Sequence, residues 1–245
     1  MFSLREPTTA EIEKFLADQR QRPFSYPHVG ATWGRLPRGY FVDHSRVLLG
    51  RGSETFERAC EAIRQWAMYP RDVVELHPAT PPLEVGQIAA PLARLLGVWA
   101  LAACRVVYVV DERDGQHASP RRADGVSPLV LPEERTDVHR FGFAYGTVAG
   151  HPETGEERFL VEHRLADDTV WYDLLAFSRP NHFLSLLALP RVRTMQKRFG
   201  RRSLEQMQRA IGAPAPSFTT QPGRDTRRKP CPDSPREDPP QELGQ

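Results

Sequence analysis

The hydrophobic period of this chain changes twice, and that change restricts its possible folds more than any other feature. Before about Ala67 apolar residues recur at helical spacing in two segments, around Ile12–Leu16 and Phe56–Ala67. From Val73 to Ser178 they fall into strand-length segments, and from Pro190 to Ile211 the helical spacing returns. Helices therefore bracket a central run of strands, the order of an α+β domain rather than an alternating α/β one. The strand segments are Val73–His77, Gly86–Leu95, Leu101–Asp111, Arg140–Ala149, Glu156–Leu165 and Thr169–Ser178, each rich in β-branched or aromatic residues. The turn signals between them predict an antiparallel meander. Asp167-Asp168 marks a tight hairpin between the last two.

Before the strands, Thr8 and Glu11 form a capping box, and Ile12, Phe15 and Leu16 define one face of a short helix ending near Arg20. From Arg22 to Gly39 proline and glycine are too dense for a helix, yet Phe24, Tyr26, Val29 and Trp33 predict an ordered loop pinned by aromatic side chains. Tyr40–Leu49 reads as a further strand. Gly50-Arg51-Gly52 then turns the chain into a helix capped by Ser53, with Phe56, Ala59, Cys60, Ile63 and Ala67 on its apolar stripe. A long final helix from Pro190 presents Val192, Met195, Phe199, Met207, Ala210 and Ile211 and stops at Gly212. Residues 213–245 contain eight prolines and almost no large apolar side chains, which predicts a disordered tail. The stretch 113–137 reads as an irregular insertion, so 1–212 is expected to be one domain.

Charge and cysteine content narrow the function classes. Thirty-three basic against thirty-one acidic residues leave a net charge of +2, so no whole-molecule field recruits nucleic acid, and no nucleic-acid partner is expected. Cys60, Cys104 and Cys231 lie too far apart for a zinc or redox motif, and neither metal nor cofactor is expected. The first residues reach charge within five positions and lack an apolar core, so a cytoplasmic location is expected. The greasiest run, Ile88 to Val110, contains Arg94 and Arg105, each costing about 2.5–3.5 kcal/mol in a bilayer centre, so it is read as core strand rather than as a transmembrane segment.

Candidate chemistry concentrates between Tyr145 and Phe159. A turn over Pro152-Glu153-Thr154-Gly155 would set His151 opposite Glu156 across a hairpin mouth. Such a pair is either an acid/base couple, with Glu157 as alternative carboxylate and Tyr145 as donor, or an exposed ion pair that fixes register. His151, Glu156 and Glu157 do not suit a metal, because neighbouring strand residues face opposite ways. Phe141, Phe143 and Tyr145 alternate with Gly142, Ala144 and Gly146, leaving one strand face bare enough for close approach. On the last helix Arg191, Arg193, Lys197, Arg198, Arg201 and Arg202 put six cations in twelve residues, with Arg179 upstream. They form either a solvated face or a docking site for anionic lipid or a phosphorylated ligand.

Taken together, Tyr145 to Phe159, Cys104-Arg105-Val106-Val107-Tyr108-Val109-Val110-Asp111-Glu112, Ala176-Phe177-Ser178-Arg179-Pro180, Tyr26-Pro27-His28-Val29-Gly30-Ala31-Thr32 and Gln65-Trp66-Ala67-Met68-Tyr69 resemble uncharacterised protein family 0548 of bacteria and plants. The resemblance runs from about Thr8 to Ile211 and implies no established activity. Where that family usually has an acidic residue and an arginine, this chain has His28 and Trp33. The element order also resembles the helix-grip layout of START and Bet v 1 proteins, in which a curved antiparallel sheet wraps a long C-terminal helix. That resemblance implies a cavity for lipids, steroids or aromatic polyketides, with cyclisation or hydration in a few members. Trp99, Phe143, Tyr145, Trp171, Met195, Phe199 and Met207 are the side chains expected to line such a cavity, or else to fill a solid core. Three functions follow: binding of an apolar or amphipathic small molecule, an enzyme built on His151 with Glu156 or Glu157, and a membrane-surface or scaffold protein acting through the basic helix.

Overall fold

The computed structural model describes residues 1–95, 97–113, 121–122, 137–181 and 189–212. Ten strands form one antiparallel sheet: β1 (Phe2–Ser3), β2 (Phe41–Arg51), β3 (Glu75–His77), β4 (Ile88–Leu95), β5 (Val98–Leu101), β6 (Cys104–Glu112), β7 (Arg121–Arg122), β8 (Val138–Thr147), β9 (Glu153–Arg164) and β10 (Thr169–Pro180). Along the sheet the order is β1-β5-β4-β6-β8-β9-β10-β2, with β3 paired to β4 and β7 to β6. Among the described residues the helices are α1 (Thr9–Gln19), α2 (Ser53–Arg64) and α3 (Leu189–Ala210), with a short 3₁₀ turn at Ala31–Trp33. The sheet curls into a half-barrel, and α2 and α3 pack on its inner face.

Local chemistry explains most boundaries. The capping box is present: the Glu11 N–H donates to Thr8 Oγ1 at 3.4 Å, and the Thr8 N–H donates back to the Glu11 carboxylate at 2.9 Å. The C-terminal end of α1 is held from outside, because the Arg105 guanidinium of β6 donates to the carbonyls of Gln19, Arg20 and Arg22. At α2 the cap is Gly52, not Ser53. Strand β2 runs on to Arg51, opposite Thr169, and the Gly52 N–H bonds the Asp168 carbonyl with φ +87°, a conformation that favours glycine and pushes Ser53 into the first turn.

Two further boundaries differ from expectation. The segment Leu101–Asp111 is two strands, because β4 pairs with β5 along Leu92–Leu95 and with β6 at Ile88–Ala89, and the chain must step aside at Ala102–Ala103 between them. Alanines give no turn signal there. The β8–β9 reversal lies at Val148–Pro152, with Gly150 at φ +96°, so Glu153 to Gly155 belong to β9 rather than to a turn. Of the expected insertion, Arg121 and Arg122 pair with Val109 and Tyr108. Residues 114–120 and 123–136, and the expected tail 213–245, lie outside the described residues.

The two faces of the sheet are covered differently. On the inner face Phe56, Cys60, Ile63 and Trp66 pack against Phe141, Phe143, Phe159 and Val161, joined by Leu204, Met207 and Ile211 of α3. Trp66 and Phe143 lie with ring centroids 4.6 Å apart, and Phe143 and Phe159 5.1 Å apart. The outer face takes the predicted aromatic loop, which buries Tyr26, Trp33 and Tyr40. The bare positions of β8 admit it, since a β-carbon built on Gly146 would overlap the Tyr26 hydroxyl. Gly146→Ala is therefore expected to cost about 1–3 kcal/mol through overpacking, read as a lower urea midpoint with unchanged m-value.

Candidate functional site

Inner-face side chains shrink from one end of the half-barrel to the other. Along β10 the inner positions are Tyr172, Leu174, Ala176 and Ser178; along β9 they are Val161, Phe159, Glu157 and Gly155. Strands β4 and β5 add Pro91, Ala93, Val98 and Ala100, and α3 contributes Gly200 where a bulky residue would fill the space. Large rings thus pack the α2 end solid, while small side chains leave a cavity of about 1350 Å³ at the other. Its wall draws on strands from β1 to β2 and on α3, an arrangement possible only because the sheet curls around it. The volume exceeds the roughly 300–1,000 Å³ of most small-molecule pockets.

A polar chain is set into this largely apolar wall. The Tyr69 hydroxyl donates to the Tyr145 hydroxyl at 2.7 Å, and Tyr145 donates to Glu157 Oε2 at 2.6 Å. Among the described residues no hydrogen bond reaches Glu157 Oε1. Burial pushes the Glu157 carboxyl up to about 7 against the lowering effect of the Tyr145 donor, and it raises both tyrosines well above their ordinary value. Nearer the mouth, the Arg193 guanidinium grips the Asp43 carboxylate at 2.6 and 2.7 Å, and Gln196 donates to Ser178 and Glu153. Arg191, Lys197 and Arg201 also line the cavity, exposed and without an ion pair among the described residues.

Other candidate residues fall elsewhere. Glu156 does not face His151: it lies on the outer side of β9 and accepts from the Tyr26 hydroxyl at 2.6 Å, the Gly30 N–H at 2.6 Å, the Thr32 N–H at 3.0 Å and the Thr32 hydroxyl. Alternation along β9 turns Glu156 outward, while His151 lies in the β8–β9 reversal on the cavity side. His151 lines the cavity, but its Nδ1 accepts from the Glu153 N–H at 3.0 Å, and burial lowers it to about 4, so it is neutral rather than an imidazolium. Among the described residues there is no cluster of three metal-binding side chains. Tyr145, Met195 and Phe199 share the cavity wall; Phe143 and Met207 are fully buried at the packed end. Trp99 packs outside with Ile12 and Phe15, and Trp171 lies outside beside Arg46 and Arg164. Arg179 sits over the Tyr40 ring at 4.7 Å, and Arg198 is exposed away from the cavity wall. Sequence reasoning missed Tyr69, Asp43, Glu153 and Gln196; the taper of β9 and β10 was the available signal for this end of the sheet.

Comparison with known proteins places the chain. The model of a domain of unknown function, DUF1990, matches residues 25–206. The chain belongs to the DUF1990 family. The matched residues include the aromatic loop from Ser25 onward, Glu156, Glu157 and all but the end of α3. A UPF0548 protein of Deinococcus radiodurans is 34% identical over 86% of this chain and all of its own length. One of Dictyostelium discoideum is 29% identical over 87% of this chain and 97% of its own, and one of Arabidopsis thaliana 32% over 71% and 75%. The hypothetical protein jhp0584 of Helicobacter pylori aligns with 77% of this chain and 96% of its own at a TM-score of 0.38 and 10% identity, too slight a likeness to inform the fold. No described helix is long and apolar enough to cross a membrane.

The state of Glu157 makes a pH prediction for this DUF1990 chain. An ordinary glutamate loses its proton near 4.5, whereas folded Glu157 keeps it to about 7. Its contribution to stability is thus complete below about pH 4.5 and lost as pH rises through about 7. Glu157→Gln removes that loss: relative to the native chain, the variant is expected to gain up to about 3 kcal/mol between pH 4.5 and pH 8. Urea unfolding of both proteins across that range checks the difference.

Proposed function

We propose that this chain binds an apolar or amphipathic small molecule in a helix-grip arrangement, with the inner face of the sheet and α3 as the two jaws. The observation that carries this reading is the cavity of about 1350 Å³ between them. Apolar side chains dominate its wall and a few polar groups converge on it, the usual make-up of a small-molecule site. Met195 and Phe199 supply adaptable contact from the helix, and Tyr69 and Tyr145 supply a polar edge on an aromatic floor. An acid/base role is the second reading, favoured by the Glu157 carboxyl held at about 7 beside Tyr145. It proceeds without Glu156, which is turned away, and without His151 as a cation.

Gly200 offers a direct test of the first reading. Its position on α3 faces the cavity, where a β-carbon would make only ordinary contact with Leu174 and Ser45 at 3.8 and 3.9 Å, so Gly200→Leu fills space without disturbing the backbone. The native chain is expected to bind the apolar fluorophore 1-anilinonaphthalene-8-sulfonate saturably, and the variant about tenfold more weakly or not at all. No saturable binding by the folded native chain would remove the cavity from consideration.

A further inference from the structure

Between Arg191 and Arg201 the exposed positions of α3 are Arg191, Thr194, Lys197, Arg198 and Arg201. At about 100° of turn per residue they fall within an arc of roughly 120°, so they form one stripe along the helix. Four of the five are cations and none is an acid. Neighbouring arginines are neutralised, Arg193 by Asp43 and Arg202 by Glu205 and Asp72, whereas none of the four has an ion pair among the described residues. The stripe runs for about 15 Å at 1.5 Å per residue. One small anion cannot touch four cations so spread, but a flat surface carrying many anions can.

The same stripe borders the cavity. Arg191, Lys197 and Arg201 line it while exposed, and so does Phe2 of β1, which is 48% exposed. A residue that is both exposed and part of the wall stands where the cavity meets solvent. Strands β1 and β2 end the sheet on opposite sides, and α3 packs on β2 and β10, so β1 and α3 flank the open side of the half-barrel. Leu4, two residues beyond Phe2, is 86% exposed. Exposed apolar side chains beside cations are the make-up of a surface that lies in a membrane interface.

We infer that this side of the molecule docks on an anionic lipid bilayer, with α3 along the headgroups, Phe2 and Leu4 entering the interface, and the cavity opening turned toward the lipid. Docking rests on the exposed stripe; passage of an apolar guest between bilayer and cavity rests on the binding reading above. Nucleic acid suits this surface less well. Its backbone offers nothing to the exposed Leu4, and Met195 and Phe199 line the cavity rather than standing among the cations to stack on bases.

Cosedimentation of the full chain with vesicles tests this, using phosphatidylcholine alone and phosphatidylcholine mixed with phosphatidylglycerol. The native chain is expected to bind the mixed vesicles roughly tenfold or more tightly than the neutral ones, with a preference that shrinks as salt rises. Thr194→Glu combined with Arg198→Glu alters the stripe without touching the cavity wall. That variant is expected to lose about tenfold in binding to mixed vesicles, with native circular dichroism and native titration of the anilinonaphthalene fluorophore. Leu4→Ser is expected to weaken vesicle binding about fivefold, and an affinity unmoved by it overturns the orientation. Docking is overturned by equal binding to both vesicles, by no binding to either, or by a DNA duplex that strips the chain from mixed vesicles at equal phosphate concentration. If docking fails while the fluorophore still binds, the cavity reading stands; if mixed vesicles bind and the fluorophore does not, the cavity reading alone falls.

Discussion

Strand β9 sends two neighbouring carboxylates to opposite sides of one sheet, and the rest of the molecule is arranged around that alternation. Glu156 points outward into four donors supplied by Tyr26, Gly30 and Thr32, which pin the aromatic loop across the outer face. A carboxylate so surrounded recovers by hydrogen bonding much of what burial costs it. Glu157 points inward with a single donor among the described residues, and burial dominates its protonation. One side of the strand is thereby closed by its own chain, and the other keeps an oxygen in reserve.

The hollow end arises from side-chain size rather than from a break in the backbone. Hydrogen bonding runs along β9 and β10 from Arg164 opposite Thr169 to Glu153 opposite Pro180, so the strands that frame the packed end also frame the cavity. What changes along them is volume: Tyr172 and Leu174 give way to Ala176 and Ser178, and Phe159 to Gly155. The aromatic cluster of Trp66, Phe143 and Phe159 fills the curled sheet at one end, and the same strands continue around the empty portion.

Much of this architecture was legible in the primary structure because its signals are local. The capping box, the α2 stripe, the strand periods and the long last helix depend on neighbours within a few residues. The boundaries that differ depend on partners far away: Gly52 is the cap because Asp168 holds its N–H, and Ala102–Ala103 is a corner because β4 pairs with two strands. The site was less legible for a related reason. Candidate aromatics such as Trp99 and Trp171 are equally apolar whichever side of a strand they occupy, and both lie outside. His151 and Glu156 read as a pair only if the reversal begins at Pro152; with Glu153 already in β9 and Glu156 on the outer side, they part.

The gradient in side-chain bulk also divides the molecule by its tolerance to change. Around Phe143 and Trp66 every position is in contact, so any alteration of volume strains the frame. Around Ala93, Ala100 and Ala176 one flank of each side chain is empty, and a methyl group more or less alters the shape of the void without disturbing a neighbour. The packed end is thus a rigid scaffold, joined to a chamber whose shape single substitutions can alter while the architecture stays put.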